Sequence, residues 1–172
     1  MTGKALPCIP PQSDFPCKSF TIGGWAVAET ANIDLRGVKV VDLADNARII
    51  TKGGYGLAVS ALRANRVRLS GSLAVTTAMK VTRSVEMTEG SVLVLPPEVE
   101  KTSVKAISIK GAGTVALKPG IPPRRGETRR ILRVEGLPDD LSRFRLHGAQ
   151  DPAGATFKRS ADGRFLCVTP QP

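Results

Sequence analysis

Short runs of alternating apolar and polar residues recur along the first two thirds of the chain, each followed by a glycine and a second such run. The unit is clearest as Val67-Arg-Leu69, Gly71 and Leu73-Ala-Val75. A period of two is typical of β-strands with one buried face. The other copies are Ile33–Leu35 with Val38–Val40, Arg48–Ile50 with Leu57–Val59, Val85–Met87 with Val92–Val94, and Ile107–Ile109 with Val115–Leu117.

The spacing of these copies indicates how they are arranged. Their first residues are 15, 19, 18 and 22 positions apart. A repeat near 20 residues with strand-type alternation is typical of a solenoid, in which each unit buries its apolar face by stacking on its neighbours. Residues 58–66 are the nearest helical candidate, and that stretch is short. The sequence therefore predicts an all-β fold, a short right-handed parallel β-helix of about five coils.

An antiparallel sandwich or meander of hairpin strands is the alternative fold, because it requires the same alternation. The β-helix accounts better for the glycines between runs, since glycine tolerates positive φ at tight corners. The two folds differ in strand direction: neighbouring strands run parallel in the β-helix and antiparallel in the sandwich.

Three segments are predicted along the chain. Residues 1–19 form an irregular Pro-rich lead-in, residues 20–120 form the coils, and residues 121–172 form a basic connector and a C-terminal antiparallel β cap. Such a cap covers an open solenoid end, which otherwise exposes unpaired strand edges. Asp162-Gly163 is a hairpin turn signal, and residues 96–103 are expected to bulge from a corner as a loop. The cap strands are predicted at Ile131–Val134, Arg143–Leu146, Ala155–Lys158 and Arg164–Val168.

Charge narrows the choice of partners. The chain has 25 Lys and Arg against 15 Asp and Glu, for a net charge of +10. Such an excess attracts nucleic acid, acidic glycans or anionic membranes. Aromatic residues make up only 4%, however, and proteins that bind single strands rely on aromatic stacking, so the composition argues against nucleic acid. Basic residues that alternate with apolar ones are expected to face outward: Lys39, Arg66, Arg68, Lys80 and Lys110.

The cysteines and the N-terminus bear on compartment. Cys8 and Cys17 lie near enough in sequence to close a small loop, although unpaired cysteines are the preferred interpretation because Cys167 leaves the number odd. No apolar run approaches the ~20 residues of a membrane-spanning helix. Prolines interrupt the first apolar stretch, so no secretory signal is expected.

The coils and the tail together resemble the passenger regions of bacterial autotransporters and related β-strand-repeat surface proteins. The tail carries Arg130-Ile-Leu-Arg-Val-Glu-Gly136, then Phe144-Arg-Leu146-His-Gly148, then Ala161-Asp-Gly-Arg-Phe-Leu-Cys-Val168, which is similar to the closing segment of those repeats. The resemblance covers about residues 33–168. It implies a right-handed parallel β-helix at the cell surface or outside the cell, as part of a longer exported product. A chain complete as given is expected in the cytoplasm instead.

The same resemblance implies a structural or adhesive protein whose partners are glycans or other surface proteins. No catalytic, cofactor or metal site is predicted, since His147 stands alone and no nucleophile motif occurs. A β-helix polysaccharide lyase or hydrolase is one alternative, although such enzymes require clustered carboxylates or a basic residue that projects from neighbouring coils. A cytoplasmic scaffold that polymerises end to end through its coils is another.

Two sets of residues are candidates for ligand contact. Asp34, Arg68, Glu86 and Ser108 each lie between two apolar residues in their copies, which predicts a ledge of outward-facing side chains. Trp25 and Tyr55 are candidates for sugar stacking if neighbouring coils align them. The alternative for both sets is ordinary solvent-facing positions on the sheet.

Overall fold

The computed structural model of the protein describes residues 20–22, 25–28, 33–37, 40–43, 48–51, 56–148 and 154–171. Within these ranges the chain is all-β, with fourteen strands in a mostly parallel sheet, two short 3₁₀ helices and no α-helix. The 3₁₀ helices span Val99–Lys101 and Leu141–Arg143. The strands are β1 (Phe20–Ile22), β2 (Trp25–Ala28), β3 (Ile33–Leu35), β4 (Val41–Leu43), β5 (Arg48–Thr51), β6 (Gly56–Leu69), β7 (Ser72–Thr88), β8 (Val92–Val94), β9 (Thr102–Lys110), β10 (Val115–Lys118), β11 (Arg129–Gly136), β12 (Phe144–Leu146), β13 (Ala155–Arg159) and β14 (Phe165–Pro170).

The parallel strands form three ladders. Ladder 1 joins β3, the start of β6, the start of β7, β8, β10 and β12. Ladder 2 joins β1, β4, the middle of β6, the middle of β7, the start of β9 and β11. Ladder 3 joins β2, β5 and the ends of β6, β7 and β9. The long strands β6 and β7 take part in all three ladders, because register shifts divide their pairing into three stretches.

Parallel pairing decides between the two predicted folds at the level of strand direction. Among the described strand pairs, those of β14 with β11 and with β13 are antiparallel, and the others are parallel. The antiparallel sandwich is therefore not the architecture of this sheet. No helix in the described ranges is long and apolar enough to cross a membrane.

Apolar side chains at alternate positions form the core, in columns that run along each ladder from strand to strand. In ladder 1, Leu57 pairs with Leu73, which pairs with Leu93, and all three are buried. Each fully buried leucine stabilises the fold by about 1.5–3 kcal/mol relative to an exposed one. Fully buried members of the core include Val59, Leu69, Leu73, Val75, Val85, Met87, Leu93, Leu117, Leu132, Leu166 and Val168.

The predicted alternation is confirmed most closely in ladder 3. Val67 pairs with Val85 and Val85 with Ile107, as the repeat predicts. Ile33–Leu35 does not belong to that ladder: it pairs with Leu57–Val59 in ladder 1. Ile33–Leu35 has the apolar–polar–apolar pattern of ladder 3, whereas Leu57–Val59 and Leu73–Val75 in ladder 1 have alanine at the middle position, so the triplet alone does not indicate its ladder.

An antiparallel hairpin closes the C-terminal end, where the cap was predicted. Strand β14 pairs with β11 on one side and with β13 on the other. The turn between β13 and β14 contains Gly163 at φ +71, as the Asp162-Gly163 signal predicts. Strands β11 and β12 lie beyond residue 120 and still pair in parallel with β9 and β10. Residues 1–19 lie outside the described residues, and the division into three segments stays a prediction.

Candidate functional site

Three of the four predicted ledge residues are neighbours in ladder 3. Arg68 pairs with Glu86, and Glu86 pairs with Ser108, on successive rungs. Asp34 is not part of this row, because its register partner is Ala58 in ladder 1. The structure therefore supports a shorter row of Arg68, Glu86 and Ser108, and it places Asp34 on another face.

The carboxylate of Glu86 is held by two cations. Arg68 Nε lies 2.5 Å from Oε1, and Lys110 Nζ lies 2.9 Å from Oε2. Partial burial alone would raise the pKa of Glu86, but the hydrogen bonds from Lys110 and Arg68 outweigh it and lower that pKa. The row is thus charge-compensated, and its carboxylate is a poor proton donor because the anionic form is stabilised.

Asp34 is engaged locally instead. Arg36 Nε lies 2.9 Å from each carboxylate oxygen of Asp34, and the Arg36 backbone N–H donates to Oδ1 at 3.0 Å. These hydrogen bonds lower the pKa of Asp34. Both side chains are more than half exposed, so the pair is a surface contact that contributes little to stability.

The predicted sugar-stacking pair lies largely outside the described residues. The backbone of Trp25 belongs to β2 and pairs with Arg48, but its side chain is not among those described. Tyr55 lies outside the described residues altogether, as do Cys8 and Cys17. Sugar stacking by Trp25 and Tyr55 therefore stays a prediction.

The remaining reactive residues are dispersed. His147 is exposed after β12, and its backbone N–H donates to the carbonyl of Leu117 at 2.9 Å. Cys167 is a buried free cysteine of β14, and burial raises the pKa of its thiol. Among the described residues, no group of three or more His, Cys, Asp or Glu is placed to hold a metal ion.

The predicted corner loop of residues 96–103 borders a shallow groove. Pro96, Pro97, Pro119 and Ile121 contribute to a groove of about 180 Å³, and Ile121 is 47% exposed. Gly120 is required there, because an added Cβ would lie 2.5 Å from the backbone nitrogen of Pro97. The loop itself includes the 3₁₀ helix Val99–Lys101 and joins β9 at Thr102.

A second row of outward-facing side chains lies in ladder 2; of its members only Lys80 was expected to face outward, and the row itself was not predicted from the sequence. Arg63 pairs with Lys80, and Lys80 pairs with Ser103. Arg133 continues the row, since the next residue along β11, Val134, pairs with Val104. All four side chains are exposed. We call Arg63, Lys80, Ser103 and Arg133 the basic row.

The signal for the basic row is present in the sequence as apolar–basic–apolar triplets. These are Leu62-Arg63-Ala64, Met79-Lys80-Val81 and Leu132-Arg133-Val134, in which the flanking residues are buried. The triplets are easily overlooked because the first one lies in the alanine-rich stretch 58–66, which resembles a short helix.

The surroundings of the basic row are also rich in cations. Arg66 and Arg83 are exposed at the corner between ladders 2 and 3. Glu135 lies two residues beyond Arg133, and Lys105 holds its carboxylate in an ion pair. By backbone register Asp42 precedes Arg63 in the row, and its side chain lies outside those described.

Comparison with family models, with curated proteins and with solved structures finds no match for this chain. The resemblance to autotransporter passenger regions therefore stays a prediction, and the functional argument depends on the geometry alone.

Proposed function

We propose that this chain is a right-handed parallel β-helix that serves as a non-catalytic structural or adhesin-like module of a bacterial surface or secreted protein. The order of the ladders supports the β-helix. The chain passes through ladder 1, ladder 2 and ladder 3 within β6, and β7 then follows the same order one rung further on. Stacking of successive passages accounts for the leucine column of ladder 1.

One observation carries the proposed role: the sheet divides each strand into buried apolar and exposed polar positions that repeat from rung to rung. Neighbouring strands lie about 4.8 Å apart and are tied by backbone hydrogen bonds. Outward side chains are therefore held at fixed intervals before any ligand arrives, which reduces the entropy lost on binding. The rows in ladders 2 and 3 are such surfaces, and surface display fits the autotransporter-like pattern of the sequence.

The two alternatives make different demands on the same structure. A β-helix polysaccharide lyase or hydrolase that uses the row in ladder 3 as its site needs a carboxylate free to exchange protons, whereas Glu86 is held by Arg68 and Lys110. A scaffold that polymerises end to end needs open strand edges, whereas β14 occupies the outer edge of β11, the last strand of ladder 2. Both observations favour the non-catalytic module.

A combined binding and degradation experiment tests the proposal. The purified chain is applied to a glycan array and is also incubated with acidic polysaccharides, whose chain length is followed by size-exclusion chromatography. Binding without shortening is the expected result, whereas shortening of any polymer would replace the proposal with the enzyme. Protease treatment of intact source cells should digest the protein if it lies at the surface, and full protection would contradict that location.

A further inference from the structure

We propose that the basic row of ladder 2 binds a linear acidic polysaccharide. The inference rests on the proposed function, and it names both the ligand class and the residues that contact it. The row contains three cations, Arg63, Lys80 and Arg133, and the hydroxyl of Ser103 lies between the last two. At about 4.8 Å per rung, the row runs across four strands and spans about 14 Å.

The cations of the basic row are available for a ligand, in contrast to those of ladder 3. Among the described residues, no ion pair joins Arg63, Lys80 or Arg133 to a carboxylate. In ladder 3, by comparison, Arg68 and Lys110 are both taken up by Glu86. The positive field of the basic row is therefore uncompensated within the described part of the chain, and it attracts anions.

Further positive charge flanks the row. Arg66 and Arg83 extend the exposed positive surface to the corner with ladder 3. The nearby carboxylate of Glu135 is already held by Lys105. A polymer lying along the row thus meets five cations that are paired with no described carboxylate, and carboxylate or sulfate groups fit the planar fork of each arginine. By backbone register Asp42 adjoins Arg63 at one end of the row.

Two features favour an acidic polysaccharide over nucleic acid. The hydroxyl of Ser103 is exposed between the cations and can bond sugar hydroxyls. The exposed hydroxyl of Thr82 donates to Asn65 Oδ1 and can still accept a hydrogen bond. Single-stranded nucleic acid requires exposed aromatic rings for stacking. The aromatic side chains described in the structure are Phe144, Phe157 and Phe165, and all three are buried. The row places two cations on adjacent rungs, a hydroxyl on the third rung and a cation on the fourth, which suits a polymer that carries both anionic groups and hydroxyls.

The test compares two variants with the same net charge. In the row variant, R63Q, K80Q and R133Q are combined; in the control, K118Q, R124Q and K158Q remove three exposed cations that are not in ladder 2. Binding to heparin, polygalacturonate, neutral dextran and duplex DNA is measured at physiological salt. Circular dichroism and thermal unfolding verify that both variants fold, as expected for exposed positions.

We expect wild-type protein to bind heparin or polygalacturonate and not dextran. The row variant should bind about tenfold more weakly, since three exposed charge contacts are lost, and the control should change by about twofold or less. Equal losses in the two variants would overturn the inference, because net charge alone would then explain binding. Tighter binding to DNA than to either polysaccharide would overturn it as well.

Failure of this inference can be distinguished from failure of the proposed function. If the protein binds neutral glycans on the array but neither acidic polysaccharide, the adhesin-like role stands and the basic row is not its site. If it binds no glycan at all, both the basic-row inference and the glycan-binding adhesin role fail. The structural role is then the part of the proposed function that remains.

Discussion

The guanidinium of Arg143 donates to the carbonyl oxygen of Gly113, at 3.1 Å from Nε and 2.8 Å from Nη2. The same guanidinium donates to the carbonyl oxygens of Gly111 at 2.7 Å and Ile109 at 3.4 Å. One side chain therefore joins the segment before β12 to the turn that follows β9. Its donors therefore bind carbonyls at and just after the end of β9, which is the last described strand of ladder 3.

We expect Arg143→Met to lower the free energy of unfolding by about 1.5–3 kcal/mol, because hydrogen bonds from a charged donor are lost and partly buried carbonyls lose their partner. Urea denaturation monitored by circular dichroism measures the change. Arg145→Met is the matched control, since the Arg145 guanidinium contacts carbonyls in its own neighbourhood, those of Ser142 and Phe144. Equal costs for the two variants would show that Arg143 does not act as an end cap.

The buried columns make a second prediction. Leu69 is fully buried in ladder 3, so Leu69→Asp should prevent folding because an unpaired charge would enter the core. Leu69→Ala should cost about 2–5 kcal/mol and leave a folded protein to measure. Arg68→Gln, at the adjacent exposed position, should cost less than about 1 kcal/mol. Tolerance of Leu69→Asp in thermal unfolding would show that the assignment of inward and outward faces is inverted.

Glu86 provides a prediction about pH. Its pKa is lower in the folded protein than in the unfolded chain, so its contribution to stability is present above the ordinary glutamate pKa of about 4.3 and is lost as the pH falls through the lower folded value. The difference in free energy of unfolding between wild type and Glu86→Gln should therefore shrink on acidification below about pH 4.3. A difference that stays constant from pH 7 to the acid limit of folding would contradict the role of Arg68 and Lys110.

Two buried hydroxyls differ in their partners and should respond in opposite ways to removal. Thr102 donates from Oγ1 to the carbonyl of Val99 at 2.6 Å and accepts from the backbone N–H of Arg133 at 2.9 Å. Ser91 is fully buried, and its hydroxyl has no hydrogen-bond partner in the described part of the chain. Thr102→Val should cost about 1–3 kcal/mol, whereas Ser91→Ala should be neutral or stabilising. A large loss for Ser91→Ala would show that its hydroxyl has a partner.

Strand alternation predicted the core of ladder 3 and the C-terminal hairpin, because each depends on local sequence. Val67, Val85 and Ile107 occupy the same column as their triplets indicate, and Asp162-Gly163 forms the turn between β13 and β14. These features required only a period of two and a glycine that adopts positive φ.

Assignment of strands to ladders was less predictable. The run Val92–Val94 belongs to ladder 1, where Leu93 pairs with Leu73 and is buried. The run is apolar at every position, so alternation does not specify its phase, and a shift of one residue reverses which side chains face the core. Which residues of this run face the core is determined by pairing with the neighbouring strands, and that pairing joins residues far apart in the sequence.

The candidate site was predictable only in part for the same reason. Arg68, Glu86 and Ser108 share ladder 3 as expected, because their triplets follow one another at a regular interval. Asp34 has the same local pattern but lies in ladder 1. The ladder to which a triplet belongs depends on the lengths of the loops between triplets, and not on the triplet itself. The basic row was not predicted because the middle part of β6, which carries Arg63, was not recognised as a strand within residues 58–66.

Gly56 pairs with Ser72, sixteen residues further along the chain, and between them lies one full passage through the three ladders. A compact globular domain grows in three dimensions, so the ratio of its interior to its surface changes with chain length. In the proposed β-helix, each added passage would extend the molecule along its axis by about 4.8 Å and would bring its own share of interior and exterior. The number of passages, and not the width of the core, would then determine the length of the molecule.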